Sequence, residues 1–342
     1  MSLKKIVLYT SLIFLVIFAY FGIKIYRIVF TPNTSFEESK VYVYIPTGSN
    51  FNDLKDILAP YVANWDSFEA MAEQRKYNYG VRSGRFQLQR GMNNHALIQT
   101  LTRNLPIRVT FNNQERLENF AGRIATQIEP DSISLLEAFK EPKFLEENEQ
   151  TEESVLSMFM PNTFEFYWNT TARQFRDRVA KEYYRFWNEE RTAKAEKINL
   201  TPIQIVTLAS IVQKESTKAE ERPRVAGVYL NRLKKGMPLQ ADPTVIYAYK
   251  LVTDDFDQVI KRVLYRHLET DSPYNTYKYA GLPPGPVFMP DVSSIEAVLN
   301  AEQHHYMYFC ASVERFGYHE FATTLDQHNV NRRKYVQWLN QQ

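Results

Sequence analysis

Cysteine is almost absent from this chain: Cys310 is the only one in 342 residues. A single thiol forms no intramolecular disulfide, so stability has to come from a packed core. With only His304 and His305 near it in sequence, Cys310 lacks partners for nucleophilic or metal chemistry, and its setting in YMYFCASV predicts a buried strand residue. Histidine is also scarce, at six. His319 and His328 have no cysteine or carboxylate at ligand spacing, so neither a metal nor a cofactor is expected. A dominant charge of one sign is missing too: 41 Lys and Arg against 39 Asp and Glu leave a net charge of +2. That balance excludes a bulk polyanion, and with it nucleic acid, as the implied partner.

Long apolar runs are absent but for one. Residues 6–23, IVLYTSLIFLVIFAYFGI, are long enough to cross a bilayer, and Tyr20, Phe21 and Tyr26 fit an interfacial aromatic belt. The run is long for a signal-peptide core and no A-x-A site comes after it, so an uncleaved anchor over 6–26 is expected. Lys4 and Lys5 are matched by Lys24 and Arg27, which leaves the flanking charges without a clear bias. The short tail 1–5 favours an N-inside orientation, with residues 31–342 outside the cytoplasm. FTPNTSFEESK (30–40) is polar and turn-rich, and 27–40 reads as a linker.

Beyond it, VYVYIP (41–46) alternates as a strand does, and Phe51, Leu54, Ile57 and Leu58 are spaced as on a helix. The phrase recurs at 107–124, where IRVTF precedes Leu117, Phe120 and Ile124, so two related βα copies are expected. Between them SGRFQLQRGM predicts a strand and turn, and ALIQTLTRN a helix. Residues 131–160 read as acidic and helical, a solvated face. MPNTFEFYW marks a turn into a strand, and Phe175, Val179, Tyr183 and Phe186 predict one long amphipathic helix over 171–198.

What the rest of the chain offers is a carboxyl group in an apolar setting. Thr201-Pro202 opens a helix as a hydroxyl cap with proline in the first turn. Ile205, Leu208 and Val212 form one stripe, with Glu215 at its edge in the last turn. There the helix carbonyls and the apolar surface both penalise ionisation, which suits a general acid near neutral pH. Thr217 and Glu220 have capping-box spacing, although Pro223 argues that regular helix starts near that residue; VAGVYLNRLKKG then runs to Gly236. Asn231, unfavourable in mid-helix, points to a specific partner such as a loop of the site. QADPTVIYAY (240–249), DSPYNTYKYAGLPPGPV (271–287) and FGYHEFATTLDQHN (316–329) read as loop-rich segments carrying amides and hydroxyls, suited to lining a groove for a polar, uncharged polymer.

In this order, SIVQKES (210–216), VAGVYLNRL (225–233), LQADPTVIY (239–247), SPYNTY (272–277), GLPPGPV (281–287) and HEF…HN (319–329) resemble the endolytic murein transglycosylases, the YceG-like (MltG) family. GRFQLQRGM and PNTF upstream fit the same pattern. The resemblance implies an α+β fold: a transmembrane helix, a small LysM-like βα module over 41–130, and a mixed α+β catalytic domain over 131–342. It implies a membrane-anchored lyase that cuts nascent peptidoglycan glycan strands internally, with the lipid bilayer and peptidoglycan synthases as further partners. The family's catalytic glutamate falls on Glu215. Gln213 stands where many members have a second acid, and Tyr318 where many have glycine. Asn275, Ser272, Tyr277, Thr244, Asn231 and His319 are the expected substrate-binding residues; Asn275, Ser272 and Tyr277 read alternatively as turn-forming and core residues, and His319 as hydrogen-bonded to backbone or glycan. Asp242 is either a turn cap or a charge near the reacting sugar. A water-activating hydrolase and a non-catalytic wall-binding scaffold remain as rival readings.

Overall fold

The structure, a computed structural model, describes residues 3–341. The apolar run forms α1 (Leu3–Phe30), 28 residues of which none is buried. At about 1.5 Å per residue it reaches roughly 42 Å, more than the ~30 Å of a bilayer's hydrocarbon core. The helix therefore continues into the segment expected as a linker, and the residues just beyond its end are fastened to the folded chain. The Asn33 backbone N–H donates to Met92 O at 2.7 Å, and its amide donates to Asn94 Oδ1 at 2.6 Å. Asn94 in turn donates to the Ile28 carbonyl at 2.7 Å.

The packing divides the chain into two compact units: Met1–Val109 with Gln127–Pro130 and Phe164–Thr171, and Thr110–Thr126 with Asp131–Thr163 and Ala172–Gln342. In the first, the order is β1 (Lys40–Ile45), α2 (Phe51–Leu58), α3 (Trp65–Gln74) and β2 (Gly84–Gln89). The two strands pair antiparallel, Lys40 opposite Gln89 and Ile45 opposite Gly84. Alternation turns Val43, Ile45, Phe86 and Leu88 inward onto Leu54 and Leu58 of α2. Asn50 starts α2 through a capping box with Asp53, and Asn93 starts α4 (Asn94–Thr100).

The expected second βα copy forms as β3 (Pro106–Phe111) and α5 (Leu117–Ala125). Its buried Val109, Phe111, Phe120 and Ile124 stand at a constant offset from Val43, Ile45, Leu54 and Leu58. Next come α6 (Ser132–Phe139), α7 (Pro142–Glu147) and β4 (Asn162–Tyr167), which pairs with β3. The acidic stretch is thus helical only in part: after Glu147 it turns at Glu149, whose φ is +54°, and becomes a 3-10 turn over Val155–Met158. The single long helix expected over 171–198 is two, α8 (Ala172–Phe186) and α9 (Glu189–Lys197). Asn188 separates them because its side chain accepts from Arg191 N and caps the second.

The second unit centres on α10 (Pro202–Glu215). After it come α11 (Arg222–Lys234), α12 (Asp242–Thr253), α13 (Tyr265–Leu268), α14 (Val292–Leu299), the hairpin β5 (Tyr308–Ala311) and β6 (His319–Ala322), and α15 (Leu325–Leu339). Two segments expected as loops are regular. Asp242-Pro243 opens α12 in place of a loop at 240–249, proline being well placed in a first helical turn. The stretch 316–329 holds β6 and the start of α15, capped by Thr324. Residues 271–287 lack regular structure, as Pro-Pro-Gly-Pro requires.

Candidate active site

Thr201 caps α10 in a reciprocal box with Gln204, and Pro202 occupies the first turn. Every residue from Ile205 to Val212 is buried, so the helix is enclosed on all sides and does not present a single stripe. Such a helix is a fixed pedestal, and its last residue is Glu215. Gln213, near the same end, spans to α14: its Oε1 accepts from Asp291 N at 2.7 Å and Ser294 Oγ at 2.8 Å, and its amide donates to Asp291 Oδ2 at 2.7 Å. A carboxylate there would face Asp291; the amide satisfies both of its faces.

Glu215 opens into a cavity of about 240 Å³, shared with Tyr229 and Arg232 of α11, Asp242 of α12, Tyr277, Phe309 and Cys310 of β5, and His319 of β6. Burial, and after it the charge of Asp242, raises the Glu215 carboxyl to about 7. Hydrogen bonding from Tyr229, the Arg232 charge and the Asp242 backbone N–H oppose the rise without cancelling it. The direction matches the expectation from sequence; the dominant causes are enclosure and a second carboxylate. Burial first, then the neighbouring carboxylates, push the Tyr229 and Tyr277 hydroxyls up, so both remain hydrogen-bond donors. Arg232 is buried, and its Nε and Nη1 donate to the carbonyls of Met307 and Leu239, each at 2.7 Å. Carbonyls satisfy the guanidinium without neutralising it, so its charge reaches the cavity.

Of the residues singled out from sequence, Glu215, Asp242, Tyr277 and His319 meet in this cavity. Asp242 is no idle turn cap, since its Oδ1 accepts from the Tyr277 hydroxyl at 2.7 Å. The others lie elsewhere. Asn275 is fully buried, its amide donating to the carbonyls of Leu268 and Thr270 at 2.8 Å each. Ser272 Oγ accepts from Tyr274 N, and Thr244 Oγ1 lies 2.8 Å from Thr276 Oγ1. These three side chains bond to other parts of the protein, and none of them lines the cavity that holds Glu215.

Asn231 does not line that cavity either; its amide donates to the carbonyls of His304 and Tyr306 at 2.8 and 3.1 Å, which fixes the segment leading into β5. Cys310 is in a strand as expected, but half-buried and in the cavity wall. Tyr229 and Arg232 were readable in VAGVYLNRL as a pair three apart on one helix face, whereas nothing in the sequence marks Glu221. The Thr217–Glu220 capping box does not form: the turn there is a 3-10 segment, Ala219–Glu221, and Glu220 instead accepts from the Tyr318 hydroxyl. Among the described residues no group of histidine, cysteine and carboxylates could hold a metal ion.

One carboxyl with a raised pKa at the end of an enclosed helix, flanked by phenols, a buried cation and a second carboxyl, is an arrangement suited to general-acid chemistry. The chain belongs to the YceG-like family, whose pattern spans residues 43–334. It is 28% identical to an endolytic murein transglycosylase of Bacillus subtilis over 323 residues, 89% of this chain and 87% of the relative. It is 36% identical over 138 residues to the enzyme of that name from Streptococcus pneumoniae, covering 40% of this chain and 24% of the relative. A crystal structure of a yceG-like protein from Listeria monocytogenes is 28% identical, with a TM-score of 0.56 over 86% of this chain and 99% of that one.

Proposed function

We propose that this chain is a membrane-anchored endolytic lytic transglycosylase. It cleaves the β-1,4 bond between N-acetylmuramic acid and N-acetylglucosamine in nascent peptidoglycan strands and ends glycan elongation. The observation that carries this reading is Glu215, held protonated to about 7 in the wall of a polar cavity, in a chain of this family. Glu215 donates its proton to the bridging oxygen as the bond from C1 breaks and oxocarbenium character develops. The carboxylate then takes the proton from the C6 hydroxyl of the same muramic residue while O6 closes on C1. The ends are 1,6-anhydro, no water is consumed, and Glu215 returns to its starting state. Asp242, braced by Tyr277, supplies negative charge opposite the developing cation.

The strand–helix–helix–strand unit β1-α2-α3-β2 serves as the LysM-like module that holds glycan. The helix α1 anchors the chain in the cell membrane with the catalytic unit outside the cytoplasm, beside the synthases that make the strands.

Digestion of uncross-linked glycan tests the reaction, with the ends read by mass spectrometry. Anhydro-muramic ends from the wild type, and a rate lower by about 10²–10⁴-fold in Glu215→Gln, are expected. Reducing muramic ends would instead mark a hydrolase with Asp242 activating water, and an unchanged rate in the variant would leave a scaffold. A reporter fused to the C-terminus checks the sidedness.

A further inference from the structure

The hydrogen-bonding of His319 is more constrained than its place in a half-buried hairpin requires. Glu221 is buried, and its two oxygens are divided between two groups of the same residue. Oε1 accepts from the His319 backbone N–H at 2.8 Å, and Oε2 meets His319 Nδ1 at 2.7 Å. Ser216, next to Glu215, adds a third bond, its Oγ lying 3.1 Å from Oε2. A carboxylate only accepts, so Nδ1 carries the proton, and in the neutral ring the lone pair is on Nε2. The ring is also held at its edge by Phe309, with centroids 5.1 Å apart. His319 and Phe309 both line the cavity that holds Glu215.

One bond to the ring, a second to its own backbone, and an aromatic wall beside it restrict its rotation. Glu221 belongs to the short turn that joins α10 to α11, so the brace comes from the same chain segment that positions Glu215. A histidine that merely filled the hairpin would need neither a buried carboxylate nor a fixed tautomer.

We propose that Glu221 and His319 form a positioning pair for the transglycosylase reaction. Glu221 fixes the tautomer, and His319 Nε2 accepts a hydrogen bond from an O–H or N–H donor of the sugar whose bond Glu215 cleaves. Glu221 acts through His319 and does not touch substrate. The pair takes no proton from the reaction; it holds the ring of the sugar against the acid. This rests on the reading of Glu215 as the general acid, and its test is separable from that one.

Three variants are measured on the full chain in detergent, with glycan scission monitored at several substrate concentrations and folding by thermal melting. Glu221→Gln keeps the shape and can still accept from the His319 backbone, but its amide donates to Nδ1 and moves the ring proton to Nε2. The expected result is a fall of about 10- to 100-fold in kcat/KM, the loss of one strong hydrogen bond, with the melting temperature little changed. His319→Asn places an amide near the Nδ1 position and retains the contact with Glu221; His319→Gln places one near Nε2 and retains an acceptor in the cavity. His319→Gln is expected to keep more activity than His319→Asn, although His319→Asn should be the more stable. Wild-type kcat/KM in Glu221→Gln, or higher activity in His319→Asn than in His319→Gln, overturns the proposal and reduces the pair to hairpin structure. Because Glu215→Gln is assayed separately, loss of the acid reading is distinguishable: scission unaffected by that variant removes the premise, whatever His319 does.

Discussion

The Tyr277 hydroxyl donates to Asp242 Oδ1 at 2.7 Å, and the Asp242 charge is, after burial, the second cause that raises the Glu215 carboxyl. Residues far apart in sequence thus share one electrostatic task. Tyr277 orients the Asp242 carboxyl, whose charge adds to the burial that raises the Glu215 carboxyl.

Cleavage by a neutral Glu215 requires activity to decline as pH rises through about 7. Stability has the same sign. A carboxyl raised in the folded state from 4.5 to about 7 binds its proton more tightly there than when unfolded. The contribution of this group to stability is therefore fully present below pH 4.5 and is lost through the window from 4.5 to 7, by up to about 3 kcal/mol. Glu215→Gln lacks this penalty. Thermal melts at pH 8 should show the variant more stable than the wild type, and at pH 4 the gap should close.

Replacing Asp242 by Asn removes the like charge but not the burial. The alkaline limb of the pH–rate profile should move to lower pH, on the order of one pH unit. The amide also no longer faces the developing cation, so the maximal rate falls as well. A limb that stays in place would mean that burial alone sets the Glu215 proton affinity.

Asn275→Ala should damage the fold more than it damages binding. Its amide holds the carbonyls of Leu268 and Thr270, and its Oδ1 accepts from Tyr277 N at 3.0 Å. Leaving those buried groups unpaired costs about 2–4 kcal/mol. Denaturant titration measures this directly. A large rise in KM with unchanged stability would put Asn275 back among the substrate contacts.

Gly227 lets the segment before β5 lie directly on α11. A Cβ there would stand 2.5 Å from the Glu302 carbonyl oxygen and 2.6 Å from His304 Nε2. Gly227→Ala should destabilise by about 1–3 kcal/mol and shift β5, whose Phe309 and Cys310 wall the cavity. Scission assays below the melting temperature should then show reduced kcat/KM.

Much of the fold was legible because its signals are local. The cap at Thr201, the strand alternation at Val43 and Ile45, and the repeated spacing of α2 and α5 all depend on near neighbours in the chain. Local signals misled where a residue has two uses. Asp-Pro at 242–243 signals a turn and opens a helix equally well, and the helix won because Val245, Tyr247 and Ala248 found a core to enter. Asn188 divided an amphipathic pattern that periodicity alone would have continued.

Composition and local pattern are enough to establish that one apolar helix precedes the folded units and that Glu215 ends an apolar helix opened by Thr201 and Pro202. Packing of the whole chain selects which polar residues reach that acid. Asn275, Ser272, Thr244 and Asn231 have the chemistry of sugar-binding groups, but protein carbonyls, a backbone N–H and a hydroxyl already pair with them, while Tyr229 and Arg232 enter the site from a neighbouring helix and Glu221 braces His319 from a turn. A polar side chain advertises its donors and acceptors in the sequence, but burial determines whether protein or substrate will satisfy them.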